Sequence, residues 1–85
     1  MKYELKIKKD AEKDILALPK ADRKKIVEKI YKLSTEPRPH GAEKLKGEEG
    51  YRIRQGDYRV IYLLDDHAHK IQIMKVGHRR EVYRS

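Results

Sequence analysis

The sequence predicts a two-layer α+β domain spanning residues 1–85, with the element order β-α-α-β-β-β. Apolar and polar residues alternate at residues 2–8 and again at 51–54 and 57–60, which is the period of half-buried strands. Between these segments, apolar residues recur at spacings of three and four, which is the period of a helix with one buried face. Two helices packed on one face of an antiparallel sheet would leave the opposite face open to a ligand.

Two helices are predicted after the N-terminal strand. The first covers residues 10–18 and ends at Pro19, because proline cannot continue a helix. The second begins near Ala21 or Asp22, and charged side chains cover its outer side. Its apolar stripe consists of Ile26, Val27, Ile30 and Leu33. This two-helix hairpin is the layer that should cover the sheet.

The second half of the chain predicts a three-stranded antiparallel meander that joins the N-terminal strand in one sheet. Residues 34–50 are rich in proline, glycine and charge and predict a loop. Strands are expected at 51–55, 57–64 and 70–76. The polar segment 65–69 is interpreted as a turn between strands, because neighbouring side chains of one turn cannot easily converge on a single metal ion.

The first two strands of the meander are expected to form a hairpin around a two-residue loop at Gln55 and Gly56. This register places Arg52 directly opposite Arg59, and alternation puts Arg54 on the same face. Like charges directly opposite destabilise a sheet, so a bound polyanion would explain this arrangement better than folding does. The other pairs are Arg54–Asp57, Ile53–Tyr58 and Tyr51–Val60, and the tyrosines expected in the core are Tyr51, Tyr58 and Tyr62.

Composition favours a polyanionic partner and excludes several chemistries. The formal net charge is +8, and six of the eight arginines lie at or after residue 52. Arginine presents a planar fork suited to phosphate, so these arginines indicate a site, whereas the early lysines indicate a solvated face. The absence of cysteine excludes disulfides and thiolate chemistry. Without a secretion signal or a membrane-spanning stretch, a cytoplasmic protein with no membrane partner is expected.

Several motifs together resemble a known toxin family. The chain contains Leu45-Lys46-Gly47, then Gly50-Tyr51-Arg52-Ile53-Arg54 with Asp57-Tyr58-Arg59-Val60-Ile61-Tyr62, and finally Val76-Gly77-His78-Arg79-Arg80-Glu81-Val82-Tyr83. This ordered set resembles the RelE/ParE toxin superfamily, and the RelE branch more closely. The resemblance covers essentially the whole chain, including the two-helix hairpin.

The resemblance implies the toxin of a type II toxin–antitoxin system. RelE-like toxins are ribosome-dependent endoribonucleases that cut mRNA in the ribosomal A site, so the 70S ribosome and mRNA are implied partners. A RelB-like antitoxin that wraps the toxin is implied as well, and operator DNA would be bound only through the toxin–antitoxin complex. Attack of a ribose 2′-OH on the adjacent phosphate needs no metal, and no cofactor is expected.

The resemblance also implies roles for individual residues. Arg59 corresponds to the arginine that stabilises phosphate. Arg79 corresponds to the arginine that stabilises transition-state charge and holds the leaving group. Tyr83 corresponds to the tyrosine that stacks on or orients a base. The residues expected to bind RNA without a catalytic role are Lys44, Lys46, Arg52, Arg54 and Arg80.

The general base is left open between two residues. Some RelE toxins have lysines where this chain has Arg52 and Arg54, and an arginine does not lose its proton in a protein. His78 titrates in the useful range, and neighbouring arginines would keep it neutral, so it is the favoured base. Glu43 is the alternative, because it occupies a position like that of the glutamate before the Leu-Lys pair in YoeB-type relatives.

A non-catalytic function is the competing interpretation. The chain could be a ParE-like toxin that acts by binding DNA gyrase, or a toxin-fold module that binds nucleic acid. The ribonuclease interpretation needs Arg59, Arg79 and Tyr83 together, whereas gyrase binding does not.

Overall fold

The computed structural model describes residues 2–45 and 50–78, and it contains the predicted elements in the predicted order. One short strand lies inside the segment expected to be a loop, and it was not predicted. The elements are β1 (Glu4–Ile7), α1 (Lys9–Leu16), α2 (Lys20–Lys32), β2 (Glu43–Lys44), β3 (Gly50–Gln55), β4 (Tyr58–Asp65) and β5 (Lys70–His78). None of the helices in these ranges is both long enough and apolar enough to span a membrane.

The five strands form one mixed sheet in the order β1-β5-β4-β3-β2. β1 runs parallel to β5, and the other neighbours are antiparallel. The meander is therefore confirmed, but the expectation of a wholly antiparallel sheet is wrong. Alternation of side chains shows which face of a strand is buried and is the same for both directions, so the sequence of β1 did not reveal its direction.

Both helices pack on one face of the sheet and enclose the core. α1 contributes Ala11 and Ile15, and α2 contributes Ile26 and Ile30, all of them buried. From the sheet, the buried apolar residues are Ile53, Val60, Tyr62, Leu64, Ile71, Ile73 and Val76. Tyr51 and Tyr58 pack against this cluster, which confirms the core position expected for the tyrosines. The two-layer α+β architecture is thus as predicted.

The β3–β4 hairpin turns one residue later than expected. Its loop is Gly56-Asp57, so Gln55 pairs with Tyr58 and Arg54 pairs with Arg59. Gly56 has a φ of 60°, and Asp57 is not among the described residues with positive φ, which fits a type II′ turn with glycine first. The expected Gln55-Gly56 loop would have put a non-glycine residue at that position.

The corrected register leaves the faces unchanged. Moving a two-residue loop by one position shifts the pairing by one residue on each strand, and the period of two in side-chain direction is preserved. Arg52, Arg54 and Arg59 therefore share the face opposite the helices, as predicted. The partner of Arg59 across the hairpin is Arg54 instead of Arg52.

A β-bulge interrupts the pairing of β4 with β5. The register passes from Ile61–Lys75 to Tyr62–Ile73, which leaves Met74 as the extra residue. The bulge lets Ile73 and Val76, three residues apart, both enter the core. The predicted end of this strand at residue 76 falls short, because β5 continues to His78.

Side chains fix the connection between α2 and β2 against the sheet. Tyr62 donates a 2.6 Å hydrogen bond to the carbonyl of Pro37, and burial raises the pKa of Tyr62 to about 12. Arg38 forms an ion pair with Asp66, which also accepts a 2.7 Å hydrogen bond from the Tyr3 hydroxyl. Hydrogen bonds first from Arg38 and then from Tyr3 lower the pKa of Asp66. Residues 66–69 form a turn within the expected segment 65–69, and Asp66 of this turn anchors the loop between α2 and β2.

Candidate functional site

The face of the sheet opposite the helices, called the open face below, carries three arginines. Arg52 and Arg54 stand on alternate positions of β3, and Arg59 stands on β4 directly opposite Arg54. Opposed residues on neighbouring strands have Cβ atoms about 5 Å apart, so two cationic side chains start from adjacent points. This pair costs stability unless an anion or a carboxylate lies between the guanidinium groups.

Arg59 is the most buried of the three arginines, with only 4% of its surface exposed. On its other side the residue paired with it is Gly77 of β5, which has no side chain to occupy the space above the sheet. A buried guanidinium is weakly screened by solvent, so it interacts strongly with any negative charge that reaches it. Arg59 is therefore suited to bind an anionic group.

β2 brings Glu43 to the same face. Glu43 pairs with Arg52 across β2 and β3, and the Arg52 guanidinium donates a 2.6 Å hydrogen bond to its carboxylate. That hydrogen bond lowers the pKa of Glu43, and the charges of Arg54 and Arg59 act in the same direction. The carboxylate and the three arginines thus form one electrostatic cluster.

α2 fixes the end of the arginine hairpin. The Lys29 ammonium group donates a 2.8 Å hydrogen bond to the backbone carbonyl of Arg54. This contact ties a helix on the core side to the strand that presents Arg54. It positions the backbone of the site. The lysines of α2 were expected to form only a solvated outer face, so this contact was not predicted.

His78 is not brought together with the arginines. It pairs with Tyr58 at the end of β5, and the two rings meet edge to face with centroids 6.0 Å apart. Tyr58 alternates to the same face as Val60, which is in the core. The register therefore directs His78 toward the helix side of the sheet, away from the face of Arg59.

The remaining predicted residues fall into two groups. Lys44 pairs with Tyr51, so it points to the face opposite Glu43 and does not join the arginines. Four of the predicted residues lie outside the described part of the chain, and their roles stay predictions: Lys46, Arg79, Arg80 and Tyr83.

One cationic residue of the open face was missed by sequence reasoning. Lys75 pairs with Ile61, so it stands on the open face, diagonally across from Arg59. The alternation of β5 could not reveal this, because the bulge at Met74 changes the phase of the strand between Ile73 and Val76. The apolar residues at both 73 and 74 were the only signal of a phase change in the sequence.

Comparison with known proteins gives concordant matches. A family model described as the ParE toxin of the type II toxin–antitoxin system parDE matches residues 5–83. The Methanocaldococcus jannaschii protein named toxin RelE1 is 37% identical over 91 residues, covering 100% of this chain and 99% of that protein. These matches extend over nearly the whole chain, as the motif resemblance did.

Solved structures show the same fold. A chain in the archaeal RelE–RelB complex from Pyrococcus horikoshii is 35% identical with a TM-score of 0.80, covering 93% of this chain and 97% of that one. A chain in the RelBE2 toxin–antitoxin complex from Mycobacterium tuberculosis is 29% identical with a TM-score of 0.81, covering 93% and 100%. Fold and relatives together define a toxin of a toxin–antitoxin system. The chain belongs to the RelE/ParE toxin superfamily, and within it to the RelE branch.

Proposed function

We propose that this toxin is a ribosome-dependent endoribonuclease that cuts mRNA in the A site. The observation that carries the proposal is the direct opposition of Arg54 and the buried Arg59 on a face that also holds Arg52. Folding alone does not favour opposed like charges, whereas a phosphate between them would be bound by both. A non-catalytic toxin that acts only through protein contacts has no need of this arrangement.

The proposed reaction is attack of a ribose 2′-OH on the adjacent phosphorus. The 2′-oxygen forms a new bond to phosphorus, its proton passes to a base, and the bond to the 5′-oxygen breaks as that oxygen gains a proton. The products are a 2′,3′-cyclic phosphate and a 5′-hydroxyl end. Arg59 would stabilise the negative charge that develops on the phosphorane, and Arg54 would hold the substrate phosphate. Arg79 and Tyr83 keep the roles that the family resemblance implies.

Glu43 is the better-placed base, in contrast to the sequence-based preference for His78. It is on the arginine face, whereas His78 points to the other side. Its lowered pKa makes it a weak base at neutral pH, so alignment of the reacting groups on the ribosome must supply much of the rate. A RelB-like antitoxin is the proposed neutralising partner, since relatives of this chain have been solved in RelE–RelB complexes.

The test is to map mRNA 5′ ends after expression, and in purified translation mixtures with and without ribosomes. The toxin should produce ribosome-dependent cuts with 5′-hydroxyl ends. Arg59→Ala should reduce cleavage by about 100-fold or more, because it removes a charge that acts in the transition state. Lys24→Ala, an exposed change on α2, is the control and should leave cleavage unchanged.

The alternative is gyrase inhibition, which a resemblance to ParE toxins implies, and the matching family model is described as a ParE toxin. Intact mRNA together with altered DNA supercoiling would support that alternative and contradict the proposal. Full cleavage by Arg59→Ala, with circular dichroism showing an unchanged fold, would remove the arginine pair from the mechanism.

A further inference from the structure

A small pocket lies at the edge of the sheet beside Arg54. β2 pairs with β3 only at Tyr51 and Arg52, so among residues 2–45 and 50–78 no strand covers the edge of β3 next to Arg54. The pocket has a volume of about 360 Å³, and its lining residues are Lys29, His40, Gly41, Glu43, Ile53 and Arg54. This pocket, called the edge pocket below, adjoins the arginine pair of the open face, and His40 has no role in the mechanism proposed above.

A tight turn brings His40 to the edge pocket. The backbone N–H of Ala42 donates a 3.0 Å hydrogen bond to the carbonyl of Pro39, and Gly41 has a φ of 91°. This combination fits a type II turn, whose third residue needs a positive φ and is usually glycine. His40 occupies the second position, where proline is common and an imidazole is not required. Formation of the turn therefore explains Gly41 but does not explain the histidine.

Hydrogen-bond donors from three elements meet in the edge pocket. His40 comes from the turn, Lys29 from α2 and Arg54 from β3, while Glu43 of β2 is the one carboxylate among the lining residues. Glu43 is hydrogen-bonded to Arg52, so part of its charge is balanced by a residue that does not line the pocket. Lys29 has three N–H donors and gives one to the backbone carbonyl of Arg54. The remaining donors and the positive charge suit an anionic ligand.

We propose that the edge pocket binds a second phosphate of the RNA strand, next to the phosphate held by Arg54 and Arg59, and that His40 contacts it. The proposal rests on the proposed function for the nature of the ligand. Arg54 stands between the two positions, because Arg59 is opposite it on β4 and the pocket lies on its other side. Neighbouring strands are about 4.8 Å apart, so an RNA strand that crosses the hairpin toward the edge of the sheet reaches both positions.

The imidazole makes this second contact dependent on pH. Histidine changes its charge between about pH 5 and pH 8, and a phosphate beside a histidine favours its protonated form. The charged groups that line the pocket with His40 are Lys29, Arg54 and the carboxylate of Glu43. A bound phosphate adds negative charge to this set, so binding of RNA should take up a proton at His40. The affinity for RNA should therefore rise as the pH falls.

The proposal is tested by fluorescence anisotropy with a labelled 2′-O-methyl oligouridine, which has no 2′-OH for cleavage and no base that titrates near neutral pH. Its affinity should rise by about fivefold or more between about pH 8 and pH 5.5, and His40→Gln should remove most of this rise. His67→Gln is the matched control and should retain the rise, because His67 is exposed in the turn between β4 and β5 and does not line the edge pocket.

Two further measurements identify the contact as one with phosphate. At about pH 5.5, His40→Gln should reduce the slope of log K against log salt concentration by about 0.7, the value for one phosphate on a single strand, and it should reduce the slope less at pH 8. His40→Arg places a permanent cation at the same position. This variant should bind the oligouridine at pH 8 about as tightly as the unaltered chain does at pH 5.5.

Three results would overturn the proposal: no rise in affinity at low pH, equal losses of the rise in His40→Gln and His67→Gln, or no gain in affinity at pH 8 for His40→Arg. The assay needs neither ribosomes nor cleavage, so it separates this proposal from the proposed function. A chain that binds oligouridine through His40 but leaves mRNA intact retains the edge pocket and loses the nuclease. A chain that cuts mRNA but binds RNA without regard to His40 does the reverse.

Discussion

The pair formed by Arg54 and Arg59 concentrates charge where the fold would not otherwise place it. Cross-strand pairs of like charge cost a few tenths of a kcal/mol up to about 1 kcal/mol, which is affordable for a single pair in a small domain. Glu43 offsets part of this repulsion, since it pairs with Arg52 and its charge is felt by all three arginines. Glu43 therefore balances part of the positive charge of the arginine cluster.

The pKa of Glu43 gives a prediction about acid stability and activity. Its ordinary value is 4.5, and the folded state lowers it through Arg52. Because the folded pKa is the lower one, the contribution of the ion pair to stability is present above about pH 4.5 and is lost as the pH falls through the folded pKa. Glu43→Gln should therefore remove part of the difference in melting temperature between pH 7 and pH 3.

The pH dependence of the cleavage rate should follow the ionisation of Glu43. If Glu43 is the base, the single-turnover rate stays level as the pH falls from 8 to about 5, since the carboxylate stays ionised throughout. A rate that falls between pH 8 and pH 6 would contradict a carboxylate base. His78→Ala is the matched variant: a larger rate loss there than in Glu43→Gln would return the role to His78.

β5 is held in part by a contact outside the sheet. At the bulge, the backbone N–H of Val76 donates a 3.1 Å hydrogen bond to Oδ2 of Asp14 on α1. This bond holds α1 against the strand that carries Lys75 and Gly77 to the open face. A part-buried N–H that loses its partner costs about 1–3 kcal/mol.

Asp14→Ala should therefore lower the free energy of unfolding by about 1–3 kcal/mol, measured by urea denaturation. Hydrogen exchange at the Val76 amide should become faster at the same time. Asp10→Ala is the control, because Asp10 lies one turn earlier on α1 and is exposed. Comparable destabilisation by the two variants would mean that the effect comes from helix charge and not from the bulge.

The elements also show what the sequence could and could not predict. Periodicity was sufficient for both helices, the meander and the arginine face, because side-chain direction depends only on alternation. Predicting the register of the hairpin would have required knowing that Gly56 takes a positive φ. Predicting the direction of β1 would have required knowing how the whole sheet is assembled. β2 has only two residues, both exposed, so it is too short to show an alternation that would predict a strand.

The candidate site was predicted in part for the same reason. Arg52, Arg54 and Arg59 were grouped correctly because they lie on strands with regular alternation. Lys75 was missed because the bulge changes the phase of β5. His78 was favoured as the base from its arginine neighbours in sequence, and the strand was expected to end before it, so no facing was predicted for it. No position was predicted for Ile61 and Leu63, which also stand on the open face.

For the molecule as a whole, a net charge of +8 does not say where a polyanion binds. Most lysines lie in the first half of the chain, and those of α2 lie largely on its exposed side. The arginines of the hairpin instead share the open face of the sheet. Within residues 2–45 and 50–78 there are thus two kinds of cationic surface, and the arginine face is the one with a cross-strand pair of cations, one of them the buried Arg59.

The salt dependence of RNA binding separates these two surfaces. Each phosphate neutralised on a single strand releases counterions and steepens the plot of log K against log salt concentration by about 0.7. Arg54→Gln should reduce the slope for a single-stranded oligonucleotide by about this amount, because it removes one phosphate contact. Lys24→Gln, with the same change in net charge, should leave the slope unchanged. If both variants reduce the slope equally, RNA binding depends on the total charge of the protein. That result would contradict the assignment of the arginine face as the binding site.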